Sequence, residues 1–227
     1  MKHLDITLDL ETCSTAPDAA PMQLAAVVWD RYATGEHPFL DDEFFNVGID
    51  LRTCVVEGFS FDQETVDWWN RQNETAKHNV STDICYPVGT AFELFCDWFK
   101  TIKQRYDSES ICLWCQGLDF DIPVLNTIAR RFGQTMPAHY HYFRDSRTYM
   151  FETALVLATS APSLLDDDHY ITPDEIMERP SRIYGMIPEI NKKWVEGRAT
   201  HDAVYDCART SWSVWQFMKL QEKSYKQ

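Results

Sequence analysis

Two short apolar stretches near the N-terminus constrain this chain most. His3 to Leu10 and Met22 to Trp29 are separated by a polar segment containing Ser14-Thr15-Ala16-Pro17-Asp18. Runs of this length and composition, bounded by turn residues, read as strands. Phe44 to Leu51 alternates well enough to add a third. Three strands joined by short loops predict an antiparallel meander.

Helical patterns follow. Phe61 to Asn70 is helical with Asp62 as its cap, and Pro87 to Gln104 carries an apolar stripe at 91, 92, 95, 98, 99 and 102. Residues 110–115 read as another strand, and Pro123 to Phe132 as a helix that Gly133 ends. Thr148 to Ala158 and Ala203 to Gln221 are helical as well. The stretch 160–200 is the least regular. Its run Asp166-Asp167-Asp168 reads as a solvated loop, whereas Thr172, Pro173 and Glu175 form a capping-box start for a short helix that stops before Pro180. There is no repeat, low-complexity tract or dividing linker, and 227 residues suit one α/β domain spanning 1–227.

Lys and Arg number 21 against 35 Asp and Glu, a net charge of −14. That balance argues against a protein that wraps nucleic acid by non-specific attraction. It is neutral about an enzyme that grips one strand end, because divalent cations neutralise clustered carboxylates. No apolar run approaches the roughly 18–20 residues of a membrane span. The N-terminal MKHLDITLDLET carries acids and lacks a small-residue cleavage site, so it is not read as a signal peptide, and a cytoplasmic protein is expected. Seven cysteines, at 13, 54, 85, 96, 112, 115 and 207, are an odd number in apolar surroundings and read as free thiols. Cys112 and Cys115 form a CxxC, but on a strand residues three apart face opposite sides, which suits neither one metal nor one disulfide.

Three segments carry chemistry. In Asp9-Leu10-Glu11, residues two apart on a strand share a face, so both carboxylates project together. Paired oxygen ligands on a rigid element suit Mg²⁺ or Mn²⁺, although a lone DxE is ordinarily a half-exposed strand edge. The second segment is Gln116-Gly117-Leu118-Asp119-Phe120-Asp121-Ile122-Pro123, at a strand-to-helix junction. Asp121 lies nearer the helix start and is favoured over Asp119 as the inward carboxylate, with N-capping the alternative for either. The third is His201-Asp202-Ala203-Val204-Tyr205-Asp206, opening the last helix. At about 100° per residue, positions 201 and 206 diverge by roughly 140° within a helix. Both reach one site if His201 lies on the preceding loop, where an imidazole serves as a general base; a surface histidine beside a cap is the alternative.

The order DxE, FD after a strand, then H-x₄-D closely resembles the DEDDh (DnaQ-like) 3′→5′ exonucleases of the RNase H-like fold, an α/β fold with a central mixed β-sheet flanked by α-helices. Ala20 to Val27 looks like the family's second strand. Thr65-Val66-Asp67-Trp68-Trp69-Asn70-Arg71-Gln72 is similar to the RNase T-like and phage-type branch with a double tryptophan, and Arg144-Asp145-Ser146-Arg147-Thr148 resembles that branch's RD-x-RT segment. The resemblance covers most of 3–158 and 198–215. It leaves about 160–197 as an insertion near the active site. The chain departs from the family in placing Gln116-Gly117-Leu118-Asp119 before its FD, where an asparagine or a small residue is usual.

The resemblance implies two-metal phosphodiester hydrolysis. Asp9, Glu11, Asp121 and Asp206 would hold two Mg²⁺ or Mn²⁺ ions, and His201 would take the proton of the attacking water. It also implies a single-stranded DNA or RNA 3′ end as partner, DNA being weakly favoured, and raises a homodimer as an expectation. Thr12, Trp68, Trp69, Arg144 and Arg147 are candidate substrate contacts. One tryptophan offers a base-stacking platform and at least one is expected in the core, since helical neighbours point about 100° apart. Lys192, Lys193 and Arg198 are, with Arg144 and Arg147, candidate phosphate contacts, a solvated surface charge being the alternative for each, and His139 and His141 read as loop packing. The competing classes are a catalytically silent binding module, which need not keep all five residues, and an RNase H-like endonuclease, which need not have the H-x₄-D pairing.

Overall fold

The computed structural model describes residues 3–72, 74–80, 84–165 and 171–226, apart from the side chains of 41–43 and 79. The antiparallel meander is present as β1 (His3–Thr12), β2 (Pro21–Trp29) and β3 (Phe39–Ile49). With β4 (Cys85–Tyr86), β5 (Ser110–Cys115) and β6 (Phe143–Asp145) the described residues form a six-stranded sheet in the order β4-β3-β2-β1-β5-β6. β5 runs parallel to β1, and β6 parallel to β5, so the sheet is mixed.

The alternation along β1 sorts the molecule into layers. Leu4, Ile6, Leu8 and Leu10 join Phe92, Phe95, Phe99 and Ile102 of α4 (Val88–Arg105) and Val124, Leu125 and Ile128 of α5 (Asp121–Arg131) in one core. Burying side chains of this size contributes roughly 1.5–3 kcal/mol each. Alternating with them along β1 are Asp5, Thr7, Asp9 and Glu11, a polar row that lies under α8 (Ala203–Ser224). Thr7 Oγ1 accepts from Trp29 Nε1 at 3.0 Å and from Ser211 Oγ of α8 at 2.8 Å. Asp5 is buried and paired: Arg31 Nε donates to it at 2.8 Å and Trp114 Nε1 at 2.6 Å. The second core lies beyond this row, where Trp29 and Trp114 meet Met150 and Leu157 of α6 (Ser146–Ser160) and Trp212, Trp215 and Phe217 of α8.

The irregular stretch is built into that second core through Ala161, Leu165, Ile171, Ile176, Ile183, Met186 and Ile187. Its α7 (Pro173–Glu178) begins at the expected capping box, Thr172 accepting from Glu175 N while Glu175 reaches back to Thr172 N. The Asp166–Asp168 run lies outside the described residues. All seven cysteines are free, and Cys112 packs toward the second core while Cys115 belongs to the first. Among the described residues no helix is long and apolar enough to cross a membrane.

Several boundaries differ from expectation. β3 starts at Phe39 rather than Phe44, and Leu51 opens a helix, α1 (Leu51–Val56), because Asp50 accepts from Arg52 N and caps it. α5 starts at Asp121, two residues before Pro123, and α6 at Ser146, capped by Asp145. α2 (Gln63–Asn70) starts after its Asp62 cap as anticipated. α3 (Glu74–Val80), β4 and β6 had no sequence signal. β4 owes its existence to the Gly48–Cys85 and Ile49–Tyr86 pairing, which no local pattern encodes.

Candidate active site

The site forms where β1 outruns β5. The parallel pairing ends at Thr7–Trp114, while β1 continues through Asp9 and Glu11 opposite Ala25 and Gln23 of β2. Beyond that point the Leu10 N–H donates instead to Asp121 Oδ1, at 3.2 Å. This bond ties the start of α5 to the middle of the DxE segment. Asp121 is buried in the first turn of its helix, and Asp119 is exposed, so Asp121 is the inward carboxylate of the pair. A register shift after Glu11 turns the chain, and Thr12 Oγ1 donates to Ser14 O at 2.6 Å.

α8 delivers the third segment. Asp202, not His201, is its N-cap and accepts from Val204 N at 3.0 Å. His201 therefore lies on the turn before the helix, with φ +66°, and Asp206 lies in the first helical turn. Buried Gln23 of β2 aligns this junction: its Oε1 accepts from Ala203 N at 3.1 Å, and its Nε2 reaches Asp202 and Asn46. Arg198 Nη1 donates to Asp202 at 2.9 Å.

Ligand atoms of Glu11, His201 and Asp206 lie within 4.8 Å of one another. Asp9 is electrostatically coupled to Glu11, Asp121 and Asp206, so the five residues singled out from the sequence converge. Burial and repulsion from these neighbours hold the Asp9 carboxyl well above the usual carboxylate range. Burial pushes Glu11 up to about 8, with Asp206, Asp202 and Asp121 adding to it. Asp121 rises to about 7 through burial, against the pull of the Leu10 N–H and Arg147. Asp206 is raised by burial and opposed by Arg209, whose Nη2 lies 3.2 Å from Oδ1.

The contrast with Asp5 is instructive. That acid, on the same face of the same strand, has a guanidinium and an indole N–H. Among the described residues neither the Asp9 nor the Glu11 carboxylate has a hydrogen bond or an ion pair, and buried Asp206 Oδ1 has no hydrogen bond besides its ion pair with Arg209. Buried carboxylates so placed cost stability unless a cation joins them. The oxygen-rich donor set fits a hard divalent ion.

Both tryptophans of α2 stand beside His201 rather than in the core. The rings of Trp68 and His201 meet edge to face at 4.7 Å, and Trp69 is 6.3 Å away. Trp69 Nε1 also donates to Thr12 O at 2.9 Å, pinning α2 to the end of β1. The expectation that one of the pair is core is corrected: α2 has no buried residue, and both indoles are half-buried against His201 and the end of β1. Arg144 donates to the His141 and Phe143 carbonyls, shaping the loop before α6, while Arg147 is exposed. His139 and His141 are loop neighbours, 4.5 Å apart. Lys193 lies over Trp194, and Lys192 is exposed. Sequence reasoning missed Arg209, Asp202 and Gln23. Arg209 was within reach as an i, i+3 neighbour of Asp206; Gln23 becomes visible only once the β1–β2 register is known.

The chain is similar to several known proteins. Residues 4–164 match the family model of the Rv2179c-like 3′-5′ exoribonuclease domain. An exodeoxyribonuclease of Enterobacteria phage T4 is 26% identical over 214 residues, covering 90% of this chain and 85% of the relative. The fold superposes on E. coli exonuclease I, solved in complex with single-stranded DNA, with a TM-score of 0.60 and 14% identity; the chain spans only 42% of that protein's length. It also matches the nuclease domain of 3′hExo, a DEDDh family member bound to rAMP, with a TM-score of 0.52, 10% identity and coverage of 96% and 92%. The chain thus belongs to the Rv2179c-like 3′-5′ exoribonuclease domain family, and it shares the fold of a DEDDh exonuclease domain.

Proposed function

We propose that this chain removes nucleotides from the 3′ end of single-stranded nucleic acid, DNA in preference to RNA. Asp9, Glu11, Asp121 and Asp206 would hold two Mg²⁺ or Mn²⁺ ions, and His201 is the general base. The observation that carries this reading is the gathering of Glu11, His201 and Asp206 within 4.8 Å beside Asp9 and Asp121. When bound, such ions acidify water and stabilise charge on the leaving oxygen.

The chain's own groups do the rest. His201 takes one proton from water as the new O–P bond forms and the P–O3′ bond breaks, and the leaving 3′-oxygen regains a proton from solvent. Trp68 offers its indole to the imidazole and limits where that ring can stand. Thr12, Trp68 and Trp69 border the terminal nucleotide, and Arg147 contacts phosphate. The 161–187 segment is part of one domain with the rest, since its apolar residues share the second core.

The DNA preference draws on the phage exodeoxyribonuclease, which aligns along most of both chains. A second reading, trimming of RNA, is favoured by the family model's own description and by the rAMP bound to 3′hExo. Matched single-stranded DNA and RNA, labelled at the 5′ end, separate the two. Faster shortening of DNA from its 3′ end supports the first reading, and faster shortening of RNA replaces it with the second. A product released from the 5′ end or an internal cut would contradict both.

A further inference from the structure

We infer that Gln23 is a positioning residue for the third segment: its buried amide sets where His201 stands relative to Glu11. This role rests on the exonuclease reading above, since Gln23 acts on the rate through His201.

The sheet places Gln23 beside the acidic cluster. In the β1–β2 register it is the direct partner of Glu11, and residues paired in this way share a face of the sheet. The adjacent pair, Leu10 and Leu24, points the other way into the first core. Gln23 therefore stands next to Glu11 under the start of α8, and it is 0% exposed. A polar side chain so buried is costly unless it is hydrogen-bonded.

Both ends of the amide are used. Oε1 accepts from Ala203 N at 3.1 Å. Ala203 is the first residue of α8, where a backbone N–H has no partner within the helix. Nε2 donates to Asn46 Oδ1 of β3 at 2.9 Å and to Oδ1 of Asp202, the α8 cap, at 3.4 Å. One side chain thus joins two strands to the two residues that follow His201.

The turn passes that position on to the imidazole. His201 immediately precedes Asp202, has φ +66°, and gives its N–H to Asp206 Oδ2. A non-glycine backbone in this region keeps its place only where its surroundings fix it. Asp206 fixes one side, and Gln23 fixes the other through Asp202 and Ala203. An amide suits the place by its chemistry as well as its length. A glutamate would bring another acid against Glu11 and Asp202, and an apolar side chain would leave the Ala203 N–H without its acceptor.

The test is a double-mutant cycle between positions 23 and 201, read as shortening of a single-stranded oligonucleotide with Mg²⁺. Gln23→Met keeps the length of the side chain and removes its hydrogen bonds. With His201 present it is expected to lower kcat about tenfold or more while KM changes by less than about twofold, because a displaced base costs rate and not binding. In a His201→Ala background the same substitution should lower kcat by less than about twofold, since the group it positions is already gone. Asn46→Ala, which removes only the outer link, should give the same pattern at smaller size, and it carries the comparison if melting shows Gln23→Met to be unfolded. Equal factors with and without His201, or an unchanged kcat with it, would show that Gln23 serves the fold alone. If His201→Ala keeps the parent's rate, or the parent shortens no oligonucleotide, the exonuclease reading is what fails, and the role of Gln23 falls with it.

Discussion

The backbone N–H of His201 donates to Asp206 Oδ2 at 2.9 Å, although the two residues belong to different local structures. His201 has φ +66°, a conformation uncommon outside glycine, and α8 begins two residues later. The carboxylate that faces the acidic cluster therefore also fixes the turn that carries the imidazole. Asp202 completes the arrangement by capping α8 and receiving Arg198.

Removing that cap should be felt in both stability and catalysis. Asp202→Ala is expected to lower unfolding free energy by about 2–3 kcal/mol, through the lost cap and the stranded Arg198. Asp202→Asn, which can still cap, should lose less. Denaturant melts of the two variants check this; equal losses would show that capping contributes nothing.

The metal-free protein should carry a characteristic pH dependence. Glu11 lies near 8 in the folded chain against an ordinary value of 4.5, so between these values the folded state keeps a proton that the unfolded state releases. Stability from this group is full below about pH 4.5 and falls as pH rises toward 8. Glu11→Gln removes the penalty, so in EDTA its advantage over the parent should grow by about 1–3 kcal/mol between pH 5 and pH 8. Mg²⁺ or Mn²⁺ should stabilise the parent more than the variant. A parent that gains on the variant as pH rises would contradict the assignment.

Much of this site is legible in the sequence, because the chemistry requires residues that local periodicity can place. Asp9 and Glu11 share a strand face, and the divergence of positions 201 and 206 on a helix put His201 on the loop, where it lies. The tryptophan pair was misjudged because helical geometry separates their directions without revealing that α2 touches the first core only through Val66 and buries no residue fully. Gln23 and β4 were invisible for a different reason. Each acts through a pairing register between distant strands, and only the folded sheet sets that register.

Gly117 offers a backbone test of the Arg147 position. Its φ is +113°, and an added methyl would press on the guanidinium. Gly117→Ala should destabilise the fold by about 1–3 kcal/mol and raise KM for oligonucleotides more than it lowers kcat. Calorimetric melting and steady-state kinetics together check it; an unperturbed KM would show that Arg147 does not touch the substrate.

The most direct measurement follows a 5′-labelled single-stranded oligonucleotide with Mg²⁺, Mn²⁺ or EDTA, using the parent, Asp9→Asn and His201→Ala. The expected result is a ladder shortening from the 3′ end, abolished by EDTA and by Asp9→Asn, and slowed by about 10²–10⁴ in a folded His201→Ala. Shortening that persists in EDTA, or in Asp9→Asn, would contradict the account of a metal-dependent site built on these carboxylates.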